Sequence, residues 1–256
     1  AAAARAALAG AAGDVQVALG RFFEDGNSAA DEPELTLSDR FDRAQRMLDT
    51  GDARGAAGEW LECLALARAQ GHRQGEGAVL GSLGSAYKSL GEYRKAIGYH
   101  EQALAISVAI GDRRGQGNHL GNLGSAYDSL GEYRKAIDYH EQALAISVAI
   151  GDRRGQGIRL GNLGSAYKSL GEYRKAIDYH EQALAISVAI GDRRGQGQDL
   201  GNLGNAYHSL GEYRKAIDYQ EQALAISVEI GDQQGQGSDL GNLGSAYDSL
   251  GEYRKA

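Results

Sequence analysis

The chain has 256 residues and a formal net charge of −7, from 27 Lys and Arg against 34 Asp and Glu. This acidic total argues against the phosphate backbone of nucleic acids as the main partner. Cys63 is the single cysteine, which excludes an intrachain disulfide and a thiolate metal cluster. No segment approaches the roughly 18 apolar residues of a membrane-spanning helix. The composition therefore indicates a soluble, intracellular protein without membrane insertion, and the cytoplasm is the favoured compartment.

Residues 1–36 begin with an Ala-rich segment that lacks an initiator Met and the Leu-rich core of a signal peptide. Residues 14–24 then place apolar side chains at helical spacing, which indicates a short helix. Pro33, the only proline, lies in a polar stretch that is typical of a turn or linker. We therefore predict that residues 1–36 form an N-terminal helical cap and a linker.

Residues 37–76 form a degenerate version of the unit that follows them. Gly51, Ala56 and Gly71 each lie 40 residues before an identical residue, and Trp60 occupies a position that later holds histidine. Because the register is kept while most side chains differ, the sequence predicts one degenerate repeat here.

Residues 77–256 consist of near-identical 40-residue units, of which the last is truncated. Residues 120–157 and 160–197 differ only where Asp128 becomes Lys168. A fixed period of this length is the signature of a repeat architecture. A unit copied several times is not expected to form a catalytic centre, which needs one unique arrangement. Because a repeat array that stops inside a unit leaves apolar residues uncovered, we expect the 256 residues to be a piece of a longer protein.

Each unit has the pattern of two helices joined by tight turns. Asp112 is suited to cap the first helix, and Gly131 can supply the left-handed residue that ends it. A second helix is expected to start near Tyr133 and to end at Gly151. The apolar residues at helical spacing are Leu120, Leu123, Tyr127 and Leu130 in the first helix, and Ala136, Ile137, Tyr139, Ala143, Leu144, Ile146 and Ile150 in the second.

Neither helix can bury its apolar face alone, so stacking of successive units must make a continuous core. The sequence therefore predicts an all-α solenoid of helix pairs. Glycines recur inside the first helix, for example Gly81, Gly121 and Gly124. Glycine weakens a helix by about 1 kcal/mol relative to alanine. The recurring glycines therefore indicate either close packing between helices or a helix of deliberately low stability.

The unit resembles the tetratricopeptide repeat. His140 stands at the usual aromatic position of the second helix, and Val148 replaces the usual proline. The 40-residue spacing and the words NLGNAY, AIDYHEQAL and GDRRG look like the spindle-orientation scaffolds related to partner of inscuteable, and more distantly kinesin light chains and some bacterial sensor proteins. The residues that carry the resemblance are Leu120, Leu123, Gly124, Tyr127, Gly131, Tyr133, Ala136 and Ala143.

This resemblance implies a right-handed superhelical solenoid of antiparallel helix pairs. It also implies that the first helices line a concave groove that binds a peptide or protein segment. A catalytic residue, a cofactor or a metal is not implied by it, and many different partners are known for such folds.

Two local patterns suggest other chemistry. Residues Gly115–Gly121, GQGNHLG, nearly match a dinucleotide-binding fingerprint, but they follow a helix and recur in every unit. We interpret them as a turn between repeats. His100, His140 and His180 recur once per unit, so they are too widely separated to share a metal ion, and we interpret them as packing residues.

Because the copies are nearly identical, the positions that differ are informative, and the three main variable series lie on the first helix. The exposed outer face of the second helix, including Lys95 and Glu101, hardly varies. We therefore interpret the variation as a ligand-reading surface. The three main variable series are Ala78, Asn118, Ile158, Gln198 and Ser238; Val79, His119, Arg159, Asp199 and Asp239; and Lys88, Asp128, Lys168, His208 and Asp248.

Asparagines recur on the same helix face, where an amide can both donate to and accept from a ligand backbone. The sequence thus predicts a non-catalytic scaffold that binds a protein or peptide. Two alternatives stay open: a sensor or regulatory arm of a larger switch protein, and a structural subunit of a larger assembly. The predicted ligand-groove residues are Lys88, Asn118, Asn122, Asp128, Ile158, Asn162, Lys168, Gln198, Asn202, Asn205, His208 and Asn242.

Overall fold

A computed structural model describes residues 36–251, so the helix predicted at residues 14–24 lies outside the described residues. Between residues 36 and 251 the chain is helical and contains no strand, which confirms the predicted all-α fold. The helices are α1 (Leu37–Asp49), α2 (Ala53–Ala69), α3 (Arg73–Ser89), α4 (Tyr93–Ala109), α5 (Arg113–Ser129), α6 (Tyr133–Ala149), α7 (Arg153–Ser169), α8 (Tyr173–Ala189), α9 (Arg193–Ser209), α10 (Tyr213–Glu229) and α11 (Gln233–Leu250).

The helices belong to two compact units, one extending to Ile110 and one starting at Gly111. The first contains α1–α4, with α1 and α2 in the predicted degenerate repeat, and the second contains α5–α11. Within each unit every helix packs against the next, as expected for helix pairs joined by short turns. In the second unit the odd-numbered helices also contact one another in succession. We call α5, α7, α9 and α11 the A helices and α6, α8 and α10 the B helices.

Local signals fix where the helices start and end. Asp112 Oδ1 accepts a hydrogen bond from the backbone N–H of Gly115 at 2.9 Å, which satisfies a free donor at the start of α5. Gly131 has a φ of 76°, a conformation that glycine adopts without strain. Its N–H donates to the Asp128 carbonyl at 2.9 Å, closing the end of α5. The predicted cap and turn are both confirmed.

The core of each repeat joins an A helix to the B helices on either side of it. Leu163 on α7 is fully buried against Ala136 and Ile137 of α6. Tyr127 and Tyr139 pack as a stacked pair with ring centroids 5.3 Å apart, the offset arrangement that aromatic pairs favour. These contacts confirm the predicted apolar faces as packing faces, with the exception of Ile150, which follows the last residue of α6 and is 37% exposed.

The interpretation of Gly115–Gly121 as a turn between repeats is wrong, because all of these residues lie inside α5. The turn ends at Asp112, whose cap allows the helix to start at once. A Cβ added to Gly117 would lie 3.3 Å from Ile146 Cγ2 of the following B helix, which is tighter than ordinary van der Waals contact. Glycine therefore lets the two helices approach closely, and close packing is the correct one of the two predicted alternatives.

The recurring histidines confirm their predicted role as packing residues. His140 and His180 are buried, each against a glycine of the preceding A helix. A Cβ on Gly164 would lie 2.6 Å from His180 Nε2, so no larger residue fits opposite the ring. Burial lowers the pKa of His180 to about 4, with a smaller contribution from Lys168. The ring is therefore neutral near pH 7.

Candidate ligand-binding surface

Asparagine side chains stand at one repeated position on the four A helices. Asn122, Asn162, Asn202 and Asn242 are each partly exposed, at the midpoint of α5, α7, α9 and α11. Because successive A helices are in contact, these side chains follow one another along one layer of the second unit. Within residues 36–251 their amides have no hydrogen-bond partner. An amide with free donors and a free acceptor is suited to bind a peptide group.

Two clefts lie between neighbouring A helices. The α7–α9 cleft has a volume of about 250 Å³ and includes Ile158, Asn162, Gln198 and Asn202 in its walls. The α9–α11 cleft has a volume of about 460 Å³ and includes Gln198 and Asn202 together with Asn205 and Asn242. The structure thus brings six predicted residues together along a continuous strip, in which Gln198 and Asn202 belong to both clefts.

The other six predicted residues do not line these two clefts. A smaller cavity of about 230 Å³ contains His208, whose Nε2 lies 3.0 Å from Ser249 Oγ. Asn118 Oδ1 accepts a hydrogen bond from Arg159 Nη2 at 3.2 Å, so its carbonyl is already bound within the chain. Lys88 belongs to the first unit, on α3. The last three, Asn122, Asp128 and Lys168, are not part of the two clefts.

One predicted groove residue, Asn205, has an internal partner that was not predicted from the sequence. Gln220 on α10 stands where other copies have histidine, and its Nε2 donates to Asn205 Oδ1 at 3.0 Å. The same nitrogen donates to the Gly201 carbonyl at 3.0 Å. Asn205 stands where other copies have serine. Both changes occur in the same copy, and this coincidence was the signal that could have predicted the contact.

The variable series of Val79, His119, Arg159, Asp199 and Asp239 was expected on an exposed surface, and this is wrong for most of its members. All except His119, which is partly buried, have less than a tenth of their surface exposed. Arg159, Asp199 and Asp239 each lie over a glycine of the preceding A helix. A Cβ on Gly121 would collide with the Arg159 guanidinium, and a Cβ on Gly161 would lie 3.6 Å from Asp199 Oδ1. Glycine on one helix thus provides the space for a polar side chain from the next.

The buried members of this series have shifted ionisation equilibria. Asp199 Oδ2 accepts a hydrogen bond from Ser187 Oγ at 2.7 Å. Burial nevertheless raises the pKa of Asp199 to about 6, and the nearby Asp192 carboxylate acts in the same direction. Asp239 accepts from Ser227 Oγ at 2.8 Å, and burial raises its pKa as well. The sequence indicated that these positions vary but not that their charges are buried.

Nothing in the described part of the chain resembles a metal centre: between residues 36 and 251, no three His, Cys, Asp or Glu side chains come together to hold an ion. Cys63 is buried, and burial raises the pKa of its thiol to about 11. No helix within residues 36–251 is both long enough and apolar enough to cross a membrane.

We expect EDTA, zinc or ATP to leave the melting temperature of the chain unchanged. A ligand that binds the native state must raise that temperature by mass action, and neither the glycines of α5 nor the buried histidines form such a site. Differential scanning fluorimetry with each addition is the measurement. A reproducible shift of several degrees with any of the three would overturn the assignment of these residues to packing.

Solved structures similar to this chain include the following three. One is a putative kinesin light chain of Podosopora anserina with nearly identical TPR-like repeats, at 21% identity over 77% of this chain and 97% of that one, with a TM-score of 0.65. Another is a signal transduction ATPase with numerous domains and a tetratricopeptide repeat sensor, from Pyrococcus horikoshii, at 22% identity over 82% of this chain and 32% of that one, with a TM-score of 0.72. The third is a Rap protein complexed with Competence and Sporulation Factor, at 17% identity over 87% of this chain and 67% of that one, with a TM-score of 0.70.

At these identities the similarity shows the fold alone. A comparison with curated proteins gives no significant match. The family model of the tetratricopeptide repeat matches residues 76–149, 116–187, 156–229 and 199–256, which together cover more than half of the chain. These matches begin near the first residue of the near-identical units and continue to the last residue. The chain belongs to the tetratricopeptide repeat family.

Proposed function

We propose that the chain binds a segment of a partner protein along the A helices of its second unit and has no catalytic role. The observation that carries the proposal is the row Asn122, Asn162, Asn202 and Asn242. Their amides have no hydrogen-bond partner within residues 36–251, although they are only partly exposed. An extended segment presents its own N–H and C=O groups at regular intervals, and the amides can pair with both.

Residues around this row differ between copies and would decide which segment binds. Ile158 and Gln198 line the same cleft, so its walls present both apolar and polar side chains. Asp128, Lys168 and His208 give successive A helices different charges at one position. Backbone pairing would then supply affinity, while charge and shape would supply selectivity.

The structural relatives support this proposal at the level of the fold. The Rap protein was solved with Competence and Sporulation Factor bound. A fold of this kind therefore accepts a partner molecule, and we propose that this chain uses it in the same general way. The finer resemblance to spindle-orientation scaffolds stays a prediction.

A second candidate function is that of a sensor arm. This chain spans only 32% of the Pyrococcus signal transduction ATPase, whose tetratricopeptide repeats are described as its sensor. Binding a segment along the A helices would then be the input of a larger switch protein. The full gene sequence separates the two candidates, because a sensor arm requires an effector domain in the same polypeptide.

We expect the double variant Asn162→Ala with Asn202→Ala to weaken binding by about 1–3 kcal/mol, from about 0.5–1.5 kcal/mol for each neutral hydrogen bond. The probe is a set of peptides selected on the native chain from a random peptide library, with dissociation constants measured by fluorescence anisotropy. Folding stability should barely change, because neither amide has a hydrogen-bond partner among residues 36–251.

The matched control is Glu141→Ala with Glu181→Ala, two exposed positions on the outer face of the B helices α6 and α8. These changes should leave binding of the selected peptides unchanged. If they abolish binding while the asparagine changes have no effect, the B-helix face is the interaction surface. The structural-subunit alternative would then replace the proposed function.

A further inference from the structure

Two carboxylates of the second unit are buried and have no cationic partner among residues 36–251. Asp199 and Asp239 have 8% and 7% of their surface exposed, and each accepts a hydrogen bond, from Ser187 and Ser227 respectively. Within residues 36–251 the second oxygen of each has no donor, and no basic nitrogen lies within 4.0 Å. Burying a charge without a partner is costly. The fold does not require it, since Val79 occupies the same position in α3.

Both carboxylates form part of the clefts between A helices. Asp199 lies in the α7–α9 cleft beside Ile158 and Ile190, which are 50% and 40% exposed. Asp239 lies in the α9–α11 cleft beside Ile230, which is 39% exposed. Each cleft therefore combines exposed apolar surface with a buried acid. Lys and Arg side chains have the complementary form, an apolar stem that ends in a cation.

We infer that the α7–α9 and α9–α11 clefts each accept a lysine or arginine side chain of the bound segment, with Asp199 and Asp239 as the counter-ions. This inference rests on the proposed function and names the chemistry of its ligand. The second oxygen of each carboxylate is the acceptor that the ligand cation uses. The alkyl stem packs on the exposed isoleucine side chains.

The clefts also contain other charges, which face the same space. Arg154 Nε lies 4.0 Å from an Asp192 oxygen and is thereby paired. Arg194 borders both clefts, and Asp232 borders the α9–α11 cleft. Both arginines are exposed, so solvent and salt screen them, whereas the buried acids are screened much less. The buried carboxylates therefore dominate the selectivity for charge.

The spacing of the clefts defines a motif. Helices that pack side by side lie about 8–10 Å apart, and an extended chain advances about 3.3–3.6 Å per residue. Cations that enter neighbouring clefts must therefore be about three residues apart in the ligand. One A helix earlier, the equivalent position is Arg159, which repels a third cation. The preferred segment thus carries two basic residues separated by two others.

The test uses the full chain and three blocked peptides with the sequences Arg-Ala-Ala-Arg, Gln-Ala-Ala-Gln and Glu-Ala-Ala-Glu, with affinities from NMR titration. We expect the Arg peptide to bind at least about tenfold tighter than the Gln peptide. This difference in affinity is what one hydrogen bond between charged groups supplies. The variant Asp199→Asn with Asp239→Asn should remove this advantage. Asn can still accept the serine hydrogen bond, so the fold is kept.

The matched control is Asp138→Asn with Asp178→Asn, two positions on the exposed outer face of α6 and α8. This variant should still bind the Arg peptide more tightly than the Gln peptide. A second variant, Asp199→Val with Asp239→Val, uses the residue found naturally at position 79. If the asparagine variant does not fold, the valine variant still tests whether binding of the Arg peptide depends on the two carboxylates. A preference for the Glu peptide would mean that Arg194 dominates the clefts and would overturn the inference.

The native chain offers an independent readout. Asp199 has a pKa of about 6 and faces Asp192, Arg154, Arg194 and the Ser187 hydroxyl. Protonation removes its charge, so the advantage of the Arg peptide should decline between about pH 7 and about pH 5. A constant advantage over this range would contradict the role of Asp199. If all basic selectivity is absent while library peptides still depend on Asn162 and Asn202, this inference fails and the proposed function stands.

Discussion

Replacing Leu163 by alanine is expected to lower the free energy of unfolding by about 2–5 kcal/mol. The side chain is fully buried among Ala136, Ile137 and Ala166. Its removal leaves a cavity between α6 and α7, because the surrounding side chains relax only partially into the space. Urea unfolding followed by circular dichroism measures the loss. The same spectra test the fold, since a substantial β signal would contradict it.

The equivalent change at Leu243 should cost less, because within residues 36–251 α11 is covered on fewer sides. Leu243 is 8% exposed, and Leu240 on the same helix is 56% exposed, whereas its counterpart Leu200 is 6% exposed. In a stacked array each repeat is stabilised by its neighbours, so a less covered helix opens more easily and contributes less. Equal losses at positions 163 and 243 would contradict this nearest-neighbour description.

Replacing Trp60 by alanine is expected to lower the free energy of unfolding of the first unit by about 3–5 kcal/mol. Trp60 is fully buried, and its ring centroid lies 6.0 Å from that of Phe41 on α1. It fills in α2 the position that His100 occupies in α4, so it is the main packing residue of the degenerate repeat. Since the indole Nε1 has no hydrogen-bond partner within residues 36–251, the loss is one of packing.

The variant Trp60→Phe is the control, because it keeps an aromatic ring and should recover most of the stability. Chemical unfolding followed by circular dichroism compares both variants with the native chain. In the native chain, the fluorescence of this single tryptophan reports the first unit directly. A loss below about 1 kcal/mol in the alanine variant would mean that the degenerate repeat is not packed as described.

The sequence alone determined the helices and their order. Asp112 caps α5 and Gly131 ends it, and both effects act within one turn of the chain, so no distant residue was needed to predict them. The 40-residue period added the stacking of helix pairs, because neither helix can bury its apolar face alone. The row of asparagines was likewise predictable, since equal positions in equal units must follow one another along the array.

Only the tertiary structure decided which variable side chains are exposed. Helical spacing places a residue on a face, but whether that face is covered depends on how closely the next helix packs. Arg159 lies over Gly121, and Asp199 lies over Gly161, so charges that the sequence suggested were exposed are buried. The packing of A helix against A helix joins residues from different repeats. Because this contact joins residues that are far apart in the sequence, local sequence patterns do not predict it.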